Sequence, residues 1–160
     1  MITLALTHYN ELKFVHVLAA VIWVGGAATA QVYALLAVRT NDPVKVAAFA
    51  GDTEFVGTRI FLPASLILLV SGILTVRESS GAWDYNQGWV QFGLVIIALS
   101  IVTGAGFLAP ESGRVAKVTK ASGVESPEVQ ARIRRIFLVS RVELVLLLAV
   151  VFDMVVKPGM

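Results

Sequence analysis

The sequence predicts an all-α membrane protein, a four-transmembrane-helix bundle, and three observations carry that reading. The chain of 160 residues is 57% hydrophobic and only 15% charged, with a mean hydropathy of +0.80, which is too apolar for an ordinary soluble domain. Its apolar residues gather into four runs, each long enough for the roughly 20 helical residues that a hydrocarbon core of about 30 Å requires. The runs are continuous, whereas the strands of a transmembrane barrel would alternate over about ten residues.

The first span is expected at about residues 12–38 and closes at Asn41-Asp42-Pro43, a turn sequence that also restrains the residue before the proline. Ala28-Thr29-Ala30 has the small-x-small form of a signal-peptidase site. The segment before it lacks a basic leader region, however, and the apolar run resumes at Val32, so an uncleaved helix is expected. The second span, about 55–77, contains Pro63, which removes one backbone hydrogen bond and kinks the helix. Ser79-Ser80-Gly81 and Asn86 mark the next turn. The third span, about 87–109, ends or kinks at Ala109-Pro110. The fourth, about 136–156, is led by Ser126-Pro127-Glu128, a cap residue, a proline at the first helical position and an acid in the first turn. A polar helix starting there is expected to run into the membrane. Residues 110–135 read as a basic loop, too short for a catalytic domain, so residues 1–160 form one membrane domain.

Orientation follows from the basic residues. The first and third connections hold eight of them, Arg39, Lys45, Arg114, Lys117, Lys120, Arg132, Arg134 and Arg135, against Lys13, Arg77 and Lys157 on the other side. The positive-inside rule places the richer side in the cytoplasm and both termini outside a bacterial inner (plasma) membrane. Trp83, Tyr85 and Trp89 then form an outer aromatic belt, and the 110–135 segment is expected to meet anionic lipids.

Composition also excludes chemistry. There is no cysteine, so disulfides, thiolate nucleophiles and cysteine-held metal centres are absent. A net charge of +2 offers nothing to nucleic acid. No Ser-His-Asp set, phosphate loop or HExxH spacing occurs.

Any function must therefore use the few polar groups inside the spans: His16, Gln31, Arg59, Arg141, Glu143 and Asp153. On the first helix, steps of three and four from His16 meet Ala20, Trp23, Ala27, Gln31 and Ala34, a small or polar stripe that marks the interior face. His16 is read as a metal or haem ligand, a proton relay, or a hydrogen-bond donor to a neighbouring helix. Met154, at comparable depth, is the candidate second axial ligand, with a His16 pair across a dimer as the alternative. Arg59 and Glu143 are expected to form an ion pair, either a structural clamp or a proton or anion site. Arg141, two positions from Glu143, cannot share its face and is expected to snorkel to the interface. Gly93, Ser100 and Gly104 share one face of the third helix, suited to close packing or to a flat ligand.

Lys13-Phe14-x-His16 with Trp23-x-Gly25, Arg59 before Pro63, Gly72 nine residues later and Gly88-Trp89 together carry a resemblance. In these motifs the chain resembles HemJ-type protoporphyrinogen oxidases, CopD copper-resistance proteins and, most nearly, a related uncharacterised family of predicted four-helix bacterial integral membrane proteins. The resemblance covers about the first 110 residues. It implies His16 as a haem-b or metal-associated histidine and Arg59 as a functional arginine. It departs from the HemJ pattern where Gln91, Phe92 and Gly93 replace a lysine, and where Phe107 and Leu108 stand in place of a histidine. Two functions are therefore expected: a haem- or porphyrin-associated redox protein using His16, or a non-enzymatic transporter, channel subunit or assembly partner. A homodimer through the small-residue faces is expected in either case.

Overall fold

The protein was described from a computed structural model, which covers the backbone of residues 2–158 and the side chains of residues 8–158. The chain ends, whose sidedness the charge pattern addresses, lie outside the described residues. Four long helices follow one another: α1 Ile2–Arg39, α2 Pro43–Arg77, α3 Gly88–Ser122 and α4 Pro127–Val156. Local chemistry sets their ends. Asp42 caps α2 by accepting from the Val44 and Lys45 amides, with Pro43 as the first helical residue. Ser126 caps α4 through the Val129 amide at 3.3 Å. Asn41, at φ 51°, makes the α1–α2 turn, and Gly123, at φ 77°, makes the α3–α4 turn.

Among the described residues, α1 from His8 onward, α2 and α3 are long and apolar enough to cross a membrane. α4 has the length, but Arg141, Glu143 and Asp153 interrupt its apolar half. Large apolar side chains such as Val21, Val32, Val70, Val102, Leu138 and Val145 point outward, as a bilayer-facing surface requires.

Residues 43–54, which the expected second span did not include, are the first turns of α2. Of the expected basic loop 110–135, residues 110–122 are the end of α3, a short turn follows, and the helix expected from Pro127 is the start of α4. They hold their shape by packing together. Val46, Ala50, Val115, Val124, Val129 and Ile133 form a core at the basic end. A second core, of Ala19, Trp23, Ala64, Leu68, Ile97 and Leu147, holds the opposite half. The first half of α2 packs on the second half of α3, whereas the second half of α2 packs on α1.

Pro110 does not end α3, and a π-turn explains why. Gly104–Leu108 forms one just before Ala109-Pro110, and Gly57–Phe61 forms another just before Leu62-Pro63. In each, the amide before the proline reaches back five residues, from Leu62 to the Gly57 carbonyl and from Ala109 to the Gly104 carbonyl. A proline has no N–H and its ring crowds the carbonyl four residues earlier. One extra residue in the turn relieves that crowding without breaking the helix. The two π-turns face each other, so closely that a Cβ on Gly57 would lie 3.8 Å from that of Ala109.

Candidate functional site

A cavity of about 160 Å³ lies between the two cores, walled by all four helices. Small side chains make the space. α1 contributes Ala27, Ala30 and Ala34, α2 contributes Gly57 and Ser65, α3 contributes Ser100 and Gly104, and α4 contributes Ser140. A Cβ on Gly104 would meet nothing within 4 Å. The small stripe of α1 thus faces inward as its spacing predicts. The small-residue faces on which a homodimer was expected are used within the chain: Ser100 and Gly104 line the cavity, and the Met154 methyl occupies the place of a Gly93 side chain.

The polar content of the wall is sparse and one-sided. Glu143 and Gln31 both line the cavity. The Gln31 Oε1 is buried without a hydrogen-bond partner. The wall hydroxyls of Thr53, Ser65 and Ser140 donate to the carbonyls of Phe49, Leu62 and Phe137 of their own helices. No Lys, Arg or His stands in the wall.

The expected Arg59–Glu143 ion pair is not formed. Arg59 is exposed, lies inside the π-turn, and belongs to none of the ion pairs among the described residues. Arg141 is exposed, with its guanidinium 5.2 Å from the Phe137 ring centroid.

His16 is half-buried against α2. Its Nδ1 donates to the Leu68 carbonyl at 2.9 Å and lies 3.4 Å from the Ser71 hydroxyl, and its ring sits where a Gly72 side chain would be. A carbonyl-bonded Nδ1 leaves Nε2 as the ligating atom, the arrangement metal-binding histidines use. The surroundings nevertheless do not fit a haem. His16 does not line the cavity, and 160 Å³ is well below the ~300 Å³ or more of sites for drug-sized ligands. Met154 is seated on Gly93 of α3 and His16 on Gly72 of α2. Among the described residues no three His, Asp or Glu are grouped to hold a metal ion.

Comparison with known proteins adds the family. Residues 10–158 match the family model described as a predicted integral membrane protein (DUF2269). The chain belongs to the DUF2269 family. No curated protein and no solved structure matches it.

Two further clusters in this DUF2269 protein join residues that the sequence left unconnected. Glu111, buried on α3, accepts from Arg114 Nη1 at 2.9 Å and from Arg132 Nη1 of α4 at 2.5 Å. Arg132 also binds Glu128 at 3.0 Å. Burial alone pushes the Glu111 carboxyl up, but the hydrogen bonds from Arg114 and Arg132 and their charges together hold it below the usual range. At the other end, the edge of Trp83 meets Trp89 with centroids 5.4 Å apart, and the Lys157 ammonium lies 3.6 Å from the Trp83 centroid. Trp83 Nε1 donates to the Tyr9 hydroxyl at 3.0 Å. The glutamate was legible as a helical neighbour of Arg114. Its partner on α4 was not.

Proposed function

We propose that this DUF2269 protein is a small-molecule-binding component of the membrane, a carrier or transporter subunit that holds an apolar ligand between its helices. The observation that carries this reading is the 160 Å³ cavity walled by all four helices, with Glu143 and Gln31 as its polar points. An engineered cavity of about 150 Å³ lined by apolar side chains takes up benzene, so a ligand of that size is matched in volume. In this reading α4 spans the membrane with the other three helices, its charged groups turned to the cavity or the interface. The basic end lies in the cytoplasm of a bacterial cell, with exposed Lys117, Lys120, Arg134 and Arg135 at the anionic headgroups.

The test is thermal unfolding in lipid nanodiscs with and without toluene. Toluene should raise the Tm of the wild type and leave Gly104→Leu, whose side chain fills the cavity, unchanged. An equal shift in both proteins, or none in either, would remove the cavity from the account. Haem b at His16 stands outside this reading. A Soret band in protein expressed with haem supplied, lost in His16→Ala, would overturn that separation.

A further inference from the structure

Two side chains of the cavity wall, Glu143 and Gln31, carry acceptor oxygens that meet no donor among the described residues. Glu143 has no hydrogen-bond partner among the described residues, the Gln31 Oε1 is buried without one, and the Thr53, Ser65 and Ser140 hydroxyls have spent their protons on their own helices. No basic side chain lines the wall to balance the carboxylate. The wall also carries four aromatic rings, those of Trp23, Phe49, Phe61 and Phe137, among aliphatic side chains. Aromatic faces attract cations and repel anions. A carboxylate held in a low-dielectric interior is stable only when its charge is paired or neutralised.

Resting on the cavity-binding reading above, we propose that the ligand is a small organic ammonium ion, a primary amine on an apolar body of about benzene size, whose N–H donors meet the acceptors Glu143 and Gln31 supply. Three donors on one nitrogen suit a carboxylate and an amide oxygen that both lack a donor. The apolar body fills the space left by Ala27, Ala34 and Gly104. A bare proton would neutralise Glu143, but it would leave the volume empty. A carboxylate ligand would set two anions together with no cation between them.

The experiment titrates wild type, Glu143→Gln, Gln31→Leu and Gly104→Leu in nanodiscs by calorimetry at neutral pH, with benzylamine, toluene and benzoate as probes. Benzylamine should bind wild type at least tenfold more tightly than toluene does, and benzoate should give no heat. Glu143→Gln should weaken benzylamine tenfold or more while toluene affinity stays within twofold, and Gln31→Leu should weaken benzylamine alone by a smaller factor. Equal affinities for benzylamine and toluene in wild type, or benzylamine binding undiminished in Glu143→Gln, would overturn the ammonium assignment and leave the cavity reading standing. Failure of all three probes, or binding unchanged in Gly104→Leu, would overturn both. Because Glu143→Gln removes no volume and Gln31→Leu acts at a second helix, misfolding of one variant leaves the other to decide.

Discussion

His16 donates its Nδ1 proton to the carbonyl of Leu68 at 2.9 Å, and that bond seats the imidazole on Gly72 so closely that an added Cβ would lie 2.9 Å from its Cε1. The ring cannot withdraw without giving up the bond. Gly72→Val should therefore lower stability by about 1–3 kcal/mol, the usual cost of overpacking. His16→Ala, which empties the space, should recover much of that loss. Unfolding of the two single variants and the double variant in detergent measures the coupling. Strictly additive effects would mean that ring and glycine do not share the site.

The facing π-turns predict a cross-link. A Cβ at position 57 would lie 3.8 Å from that of Ala109, at the mean Cβ separation of disulfides, about 3.8 Å. Since the chain has no cysteine of its own, Gly57→Cys with Ala109→Cys gives a clean pair. Mild oxidation should protect both thiols from maleimide. Adding Pro63→Ala restores an amide and removes the reason for the π-turn in α2, and the yield should fall. An unchanged yield would show that proline does not cause the turn.

Glu111 joins α3 to α4 through Arg132, a pair whose carboxylate is buried and whose guanidinium is partly exposed. Glu111→Gln should cost about 1.5–3 kcal/mol, the range for a hydrogen bond to a charged group. The carboxyl titrates below its ordinary value in the folded chain. Its contribution is thus complete above the unfolded pKa of about 4.3 and disappears as pH falls through the depressed folded value. Tm measured from pH 7 to pH 3 should drop more steeply in wild type than in Glu111→Gln below pH ~4.5. Parallel curves would place the acid sensitivity elsewhere.

Orientation and span number are tested by single cysteines. Ala82→Cys in the α2–α3 turn and Pro158→Cys beyond α4 should react with a membrane-impermeant maleimide in intact spheroplasts. Lys120→Cys at the end of α3 should react only after permeabilisation. Ala82 and Lys120 labelling from the same face would deny that α3 crosses. Pro158 protected alongside Lys120 would leave α4 on one side of the bilayer.

The sequence by itself determined what depends on near neighbours along the chain. Helical class and membrane residence followed from continuous apolar runs, and the cap at Ser126 from residue type beside proline. The inward stripe of Ala27, Gln31 and Ala34 followed from helical spacing alone, because α1 is an unbroken α-helix. Depth along the helices did not predict the surroundings of Arg59, which lies inside a π-turn and is exposed. One extra residue rotates the remainder of the helix by about 100° against a regular α-helix, which spacing along the chain does not show. Two stretches from glycine to proline, Gly57 to Pro63 and Gly104 to Pro110, were the available signal. Only the tertiary structure decided that small residues of four helices would enclose a cavity rather than close on one another. It also decided that residues 110–135 would pack back on α2 instead of forming a loop. Both outcomes rest on residues far apart in sequence coming together, Val46 and Val115 in one core and Gln31 and Glu143 in one cavity wall, which no local pattern records.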